Sequence, residues 1–181
     1  LFQTVSIAST TGFASSDFNL WPDFSRYVLL LLMFVGGCSG STAGGMKVSR
    51  FVILLKVTWA ELRRTIHPRL VYSIKMGGRN VPPVVVGNVT RFFYLYMIVF
   101  STLTLLISLT GLSMLDSMGI IAACMSSVGP AFGIVGPTAT YADVSTFGRL
   151  VVIAAMILGR LEIFTLLIIM RPDFWRVKRN W

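Results

Sequence analysis

The stretch GGCSGSTAGG, residues 36–45, interrupts an apolar run that is otherwise typical of a membrane-spanning helix. It follows VLLLLMFV at 28–35 and precedes FVILL at 51–55. Its glycines disfavour a helix, because each costs about 1 kcal/mol relative to alanine. Lipid offers no partner to the freed backbone groups, so such a break must be buried in protein or line a watery cavity. The stretch therefore predicts a membrane protein that moves polar cargo.

Composition and charge placement agree with this interpretation. Of the 181 residues, 55% are hydrophobic and only 13% are charged, against about 25% charged in soluble proteins. Most of the basic residues behind the net charge of +9 lie in segment 57–91 and in the C-terminal tail. Basic loops stay on the cytoplasmic side, so these two regions are predicted cytoplasmic and the loops at 14–27 and 131–149 external. This placement favours a topological role for the charge over nucleic-acid binding.

The apolar segments form two similar units. Segments 1–9 and 117–127 are too short to span a bilayer, which takes about 20 helical residues. Each is followed by a glycine-containing break, an external loop and a longer apolar segment. The predicted spans are 28–46, 92–115 and 150–170. The sequence thus predicts an all-α integral membrane fold with repeated span–pore loop–span units, as in potassium channels.

This organisation divides the chain into four parts. Residues 1–62 would hold the pore helix, the filter strand and the broken second span of one repeat. Residues 63–87 would be a cytoplasmic connection, 88–171 a complete second repeat, and 172–181 a basic cytoplasmic tail. The first unit has no span before its short segment, so we expect further units upstream. Parallel repeats with both breaks on one membrane face imply a pseudo-symmetry axis along the membrane normal.

The two breaks share a pattern of hydroxyl and glycine residues. They read TTGF at 10–13 and SVGP at 127–130, with Gly12 and Gly129 at matching places. Selectivity filters replace the water around a cation with rings of backbone carbonyls. Glycine admits backbone angles closed to other residues, and Thr or Ser hydroxyls add oxygen ligands. The breaks are therefore predicted to bind a cation; the alternative is a re-entrant turn with a structural role only.

The predicted ion is monovalent. No carboxylate stands beside either break in the sequence, whereas a divalent cation takes several carboxylate ligands. Short helices that point their C-terminal ends at the pore would also favour a cation through the helix dipole. This chemistry leaves potassium and sodium open.

Charged residues near the predicted spans have narrower interpretations. Arg160 lies within the last span, where a cation is costly and faces a bundle interior or a cavity. It is predicted to pair with loop carbonyls or to form a positive barrier in a cation path; the alternative is a structural ion pair. Glu162 does not share its helix face. Asp116 is predicted as an N-cap, and Lys47 as a side chain that snorkels to the interface or lies near the pore.

These residues resemble the Trk-type potassium uptake proteins. The resemblance rests on TTGF at 10–13, on GGCSGSTAGGMK at 36–47, on IHPR at 66–69 and on LGRLEIFT at 158–165, and it covers the whole chain. That family has four linked span–pore loop–span repeats around one potassium path. The chain would hold most of the third repeat and all of the fourth. It departs from the family pattern at 126–127, where asparagines are common, and at Ala131, which bears on fine selectivity.

The resemblance implies specific roles for the breaks and the glycine-rich stretch. The breaks would supply the third and fourth quarters of a potassium filter, and the stretch would be an intramembrane gating loop below it. The implied potassium-binding residues are Thr10, Thr11, Gly12, Phe13, Ser127, Val128, Gly129 and Pro130, with Thr10, Thr11, Ser127 and Val128 as direct ligands of K+. The implied gating residues are Gly36, Gly37, Gly40, Ser41, Thr42, Gly44, Gly45 and the pore-facing Arg160.

The resemblance also implies partners and a location. The protein would be a homodimer in the bacterial inner membrane, in contact with membrane lipid and working by symport, with the filter end external. A cytosolic nucleotide-binding regulatory subunit would control the gate, docking on the basic segments. K+ is the expected transported ion, with no organic cofactor, no nucleic acid and no enzyme chemistry. The alternatives are a sodium-dependent or weakly selective transporter of the same superfamily, and a non-conducting membrane scaffold.

Overall fold

The computed structural model describes residues 1–38, 40–67 and 73–161. Its helices are α1 (Phe2–Ala8), α2 (Asp23–Phe34), α3 (Val48–Ile66), α4 (Pro83–Ser108), α5 (Met114–Met125) and α6 (Thr146–Arg160). Its strands are β1 (Val35–Gly36), β2 (Met46–Lys47), β3 (Lys75–Met76) and β4 (Arg79–Asn80). Single 3₁₀ turns occupy Phe18–Leu20, Gly133–Val135 and Tyr141–Asp143. The predictions for Glu162, for the far end of the last span and for the tail lie outside the described residues.

The predicted repeat is present in the order of the elements. The first unit runs from α1 through the TTGF segment and an external-type loop to α2, and the second runs from α5 through the SVGP segment and a loop to α6. α1 and α5 are the short helices, with 7 and 12 residues. Both are too short to cross a hydrocarbon core of about 30 Å. The two units therefore repeat a short helix, a break and a longer helix.

The glycine-rich stretch interrupts the helix as predicted. α2 ends at Phe34 and α3 begins at Val48. Between them, β1 and β2 pair in parallel, with Val35 opposite Met46 and Gly36 opposite Lys47. Residues 37–45, here called the glycine loop, leave and return through this two-residue pair. The loop therefore has a closed base between two helices.

α4 is the longest helix in the described part of the chain, and its bounds differ from the predicted 92–115. It begins at Pro83, because prolines at 82 and 83 fix a helical φ at a position that needs no amide donor. It ends at Ser108, before a turn in which Gly111 has a φ of +85°. Among the described residues, α4 is the one helix long and apolar enough to cross a membrane.

α5 forms the centre of the described fold. It packs against α4, α6 and α2, and the side chains from Ile120 to Met125 are almost completely buried. The prediction that Asp116 caps this helix is wrong. Ser113 is the N-cap, because its Oγ accepts the amide of Asp116 at 3.1 Å. Asp116 lies in the first turn, where its charge faces the positive end of the helix dipole.

The external-type loops of the two units are tied to each other. The side-chain amide of Asn19 accepts the Gly133 N–H at 3.0 Å and donates to the Gly133 carbonyl at 3.3 Å. The rings of Phe18 and Phe132 meet edge to face, with centroids 5.5 Å apart. These contacts hold the two loops, and with them the two break segments, in one fixed relation.

Candidate ion-conduction site

α1 and α5 end in the same backbone motif. The C-cap residues Ser9 and Ser126 have φ of −84° and −88° and the same ψ of −2°. The next residues, Thr10 and Ser127, both have a φ of +56°. In each unit the N–H of the following residue donates to the carbonyl five residues earlier in the chain. The bonds run from Thr11 to Ser6 and from Val128 to Ala123, both at 2.9 Å. This is the Schellman arrangement, and it turns the chain sharply out of both helices.

The motif is strained at the same place in both units. A non-glycine residue with positive φ is uncommon, and the left-handed region costs an L-residue about 1–2 kcal/mol. Thr10 and Ser127 adopt it even though a glycine lies two positions later in each segment. Gly12 and Gly129 then have φ of +77° and +102°. Such strain concentrates at functional sites, and here it marks the two predicted filter segments.

Both segments carry carbonyl oxygens without protein partners. Among the described residues, the carbonyls of Thr10, Thr11 and Gly12 accept no hydrogen bond, and neither do those of Ser127 and Val128. Thr11 is exposed, Thr10, Gly12 and Ser127 are partly buried, and Val128 is buried. Unpaired carbonyls are the groups that a filter uses to replace the hydration shell of a cation.

The two segments lie side by side. A Cβ placed on Gly12 would clash with the carbonyl oxygen of Val128 and lie 3.2 Å from the Cδ of Pro130. Only glycine fits there, because both the space and the positive φ exclude a side chain. The structure thus brings the two groups of predicted filter residues together.

The glycine loop lies against both segments. The amide of Gly44 donates to Oγ1 of Thr10 at 3.3 Å. A Cβ on Gly44 would clash with the carbonyl oxygen of Ser126 and lie 3.0 Å from the Cβ of Ser127. Gly45, with a φ of +70°, packs on Met33 and Ser126. The loop therefore contacts the ends of α1 and α5, where the break segments begin.

Three other predicted gating residues, Gly36, Gly37 and Gly40, lie at the base of the glycine loop or within it. Gly36 lies in β1, and a Cβ there would clash with the carbonyl of Gly44 inside the loop. Gly37 packs on the side chains of Ser41 and Ala43. Gly40 has a φ of +86° and open space around it. These glycines allow the loop to fold on itself. Ser39 lies outside the described residues.

Two cationic side chains hold three consecutive carbonyls of the glycine loop. Lys47 Nζ donates to the carbonyls of Ser41 and Ala43, both at 2.6 Å. Arg160 Nη1 donates to the carbonyl of Thr42 at 2.8 Å. The prediction that Arg160 pairs with loop carbonyls is confirmed. Lys47 turns back onto the loop, and its position at the interface or near the pore stays a prediction.

Gly159 explains how Arg160 reaches the loop. A Cβ on Gly159 would clash with the carbonyl oxygen of Met125, so α6 approaches the C-terminal end of α5 closely at this point. Arg160 and Gly159 then line a cavity of about 270 Å³ together with Lys47 and the loop. The sequence signal for Gly159 was a glycine beside an arginine in an apolar helix.

Sequence reasoning also missed Tyr141. Its hydroxyl donates to the carbonyl of Gly129 at 2.7 Å and lies 3.4 Å from Sγ of Cys124. Burial raises the pKa of the Tyr141 phenol above its usual value near 10, so the hydroxyl remains a proton donor. Tyr141 lies in a polar loop, and no periodicity or motif in the sequence distinguishes it.

Comparisons with known proteins give a consistent result. The family model described as TrkH, cation transport protein, matches residues 1–176. The Trk system potassium uptake protein TrkH of Vibrio parahaemolyticus serotype O3:K6 is 46% identical over 176 residues, which is 97% of this chain and 36% of that protein. TrkH of Escherichia coli K12 is 41% identical over 175 residues, again 97% of this chain and 36% of that protein.

A solved structure matches as well. The crystal structure of the potassium transporter TrkH from Vibrio parahaemolyticus has a TM-score of 0.88 and 45% identity to this chain. The match covers 97% of this chain and 37% of the solved one. The chain therefore spans a little over one third of the length of the relatives it matches.

Proposed function

We propose, from the premise that this chain belongs to the TrkH family of cation transport proteins, that it forms part of a potassium path across a bacterial membrane. The fold is that of an all-α integral membrane protein with pore-loop repeats. The TTGF and SVGP segments would bind K+ through backbone carbonyls and the hydroxyls of Thr10, Thr11 and Ser127. The glycine loop would open and close the path below them.

One observation carries this proposal. Two segments at matching places in a repeat have the same backbone conformation, lie in contact with each other, and carry unpaired carbonyl oxygens. A Schellman ending alone explains the positive φ of Thr10 and Ser127. It does not explain why two such endings lie in contact with carbonyls that, among the described residues, have no partner, and a carbonyl ring for a dehydrated cation needs such oxygens. The negative C-terminal end of the α5 dipole beside Ser126 adds to the preference for a cation.

The glycine loop supports a gating role through its position and its attachments. Gly44 touches both Thr10 and Ser126, directly at the ends of the filter segments. Lys47 and Arg160 hold the loop by its carbonyls. In this conformation two positive charges also lie next to the proposed path, which opposes the passage of a cation. Releasing the loop carbonyls would free the loop and let the charges move.

We place the filter end outside and the basic connection at 63–87 in the cytoplasm of the cell, with residues 1–62 and 88–171 as the two repeats and 172–181 as a tail. The basic residues Arg63 and Arg64 in the last turn of α3 are exposed and suit docking of a cytosolic nucleotide-binding regulator. Assembly as a homodimer in the inner membrane belongs to the same proposal. The relatives are named as Trk system proteins.

The test is ion flux through the complete protein in lipid vesicles, with potassium and sodium compared side by side. We expect potassium uptake to exceed sodium uptake at equal concentrations and equal protein amounts. Equal rates for the two ions would favour a weakly selective transporter, and a sodium requirement would favour a sodium-dependent one. Vesicles that take up neither ion, although the protein is folded, would support the scaffold alternative.

Lys47→Met is expected to raise the potassium leak of the closed protein about three- to tenfold. The change keeps the length of the side chain but removes the donor to the Ser41 and Ala43 carbonyls. Hydrogen bonds to a charged group are worth about 1.5–3 kcal/mol each when buried, and less at this partly exposed position. The measurement is potassium efflux from loaded vesicles without any regulatory subunit.

Lys56→Met is the matched control for this variant. Lys56 Nζ also donates to a main-chain carbonyl at 2.6 Å, but the carbonyl is that of Lys75 in β3. Its loss removes the same kind of bond away from the glycine loop. An equal leak in both variants would contradict the specific role of Lys47.

A further inference from the structure

The carbonyl of Gly129 differs from those of Ser127 and Val128 in the same segment because it has a side-chain partner. The Tyr141 hydroxyl donates to it at 2.7 Å. The phenol has one proton, and that proton is used on Gly129. The thiol of Cys124, at 3.4 Å, is therefore the donor in the second contact of the same hydroxyl oxygen. The result is a chain of two hydrogen bonds from the body of α5 to the SVGP segment.

The TTGF segment is held in a different way. There the hydroxyl of Ser6, within α1, donates to the carbonyl of Phe13 at 2.6 Å. Among the described residues, the carbonyl of Gly12 accepts no hydrogen bond. In the second unit the position matching Ser6 is Ala123, which has no hydroxyl. The two units therefore have the same backbone conformation but different side-chain support. The first unit holds the carbonyl of Phe13, and the second holds the carbonyl of Gly129, which matches Gly12, one position earlier.

We infer that Tyr141 is a positioning residue of the second filter segment and a determinant of its ion selectivity. The inference rests on the proposed function and names a residue on which that function depends. Among the described residues, the Tyr141 hydroxyl contacts the Gly129 carbonyl and the Cys124 thiol, and not the carbonyls of Ser127 and Val128. It acts by holding the Gly129 carbonyl in one direction.

The physical argument concerns the freedom of a strained peptide. Gly129 has a φ of +102°, which only glycine adopts readily. The same freedom would let its peptide rotate. A carbonyl oxygen has two lone pairs, so it can accept Tyr141 and still keep a defined orientation within the segment. With the Tyr141 hydrogen bond in place, the carbonyl oxygens are spaced for an ion of one radius. Without this bond the segment can contract around a smaller ion, and sodium uptake rises most.

The test is Tyr141→Phe in the complete protein, reconstituted in vesicles. We expect potassium uptake to persist and the ratio of potassium to sodium uptake to fall about tenfold, which corresponds to about 1.4 kcal/mol. The ratio is measured within one preparation, so a difference in the amount of protein cancels. A change in overall stability alone would leave the ratio as it is.

The control is Tyr94→Phe on α4. It removes the same hydroxyl from a side chain that is 65% exposed, and it should keep the ratio of the unsubstituted protein. A third variant combines Tyr141→Phe with Ala123→Ser, which gives the second unit the hydroxyl that Ser6 provides in the first. We expect this variant to recover part of the lost selectivity through the carbonyl of Pro130.

The outcomes separate the two proposals. If the unsubstituted protein takes up no potassium, the proposed function fails and this inference fails with it. If it does take up potassium and Tyr141→Phe keeps its selectivity, only the inference is overturned. If Tyr141→Phe shows no measurable uptake, the combined variant decides: recovered uptake supports the positioning role, and continued loss overturns it.

Discussion

Gly12→Ala is expected to reduce potassium uptake by about a hundredfold or more, equivalent to about 2.7 kcal/mol. Two effects act together. Alanine at a φ of +77° is strained by about 1–2 kcal/mol. Its methyl group would also occupy the place of the Val128 carbonyl oxygen, so the two filter segments would have to move apart. The measurement is potassium uptake by vesicles with equal amounts of folded protein.

Two control glycines separate strain from collision. Gly111 has a φ of +85° but open space around it, so Gly111→Ala has the strain without the clash. Gly87 lies within α4, and it has neither a positive φ nor an atom close enough to clash with a Cβ. Gly87→Ala should therefore have little effect or stabilise the helix slightly. We expect near-normal uptake in both. Full uptake by Gly12→Ala at a normal protein level would contradict the filter and favour the scaffold alternative.

Deletion of residues 40–43 from the glycine loop is expected to give a pore that leaks potassium continuously. The deletion removes the three carbonyls that Lys47 and Arg160 bind, while β1 and β2 remain to join the ends. The leak should rise at least tenfold, because more than about 1.4 kcal/mol of closed-state stabilisation is lost. Efflux from vesicles loaded with potassium, without a regulator, measures it.

Thr42→Ala is the control for the deletion. Arg160 binds the main-chain carbonyl of Thr42 rather than its hydroxyl, so the substitution leaves that bond in place. We expect the leak of the unsubstituted protein. An unchanged leak in the deletion variant would rule out the glycine loop as the gate.

The sequence was sufficient for the architecture and for the segments that make up the candidate site. Residues 36–45 predicted the broken helix, because a run of glycines and the apolar residues around it are both local features of the sequence. The break between Phe34 and Val48 confirms this prediction. The repeat was visible because TTGF and SVGP each follow a short apolar segment. The contact between these two segments, at Gly12 and Val128, depends on the tertiary fold. The sequence predicted it only through the assumption that both segments line one pore.

Side-chain partners were less predictable. Lys47 has a long flexible side chain, and its direction depends on where the loop carbonyls turn, which the sequence does not encode locally. Asp116 and Ser113 are both good N-cap residues, and the choice between them depends on where the helix begins. Tyr141 reaches Gly129 only because its loop folds back over α5. The contacts of Lys47 and Tyr141 concern which groups meet across the fold, whereas the Asp116 error concerns where a helix begins.

The two-residue pairing of Val35–Gly36 with Met46–Lys47 limits how much chain a conformational switch has to rearrange. The nine residues at 37–45 can change shape while α2 and α3 keep their places. Shifting a two-state equilibrium from 1:99 to 99:1 takes about 5.5 kcal/mol. Three charge-assisted bonds of about 0.5–1 kcal/mol each at these exposed or partly buried positions amount to about half of that at most. A binding partner that competes for the two side chains would therefore drive part of the transition, and its contacts with the loop itself would have to supply the rest.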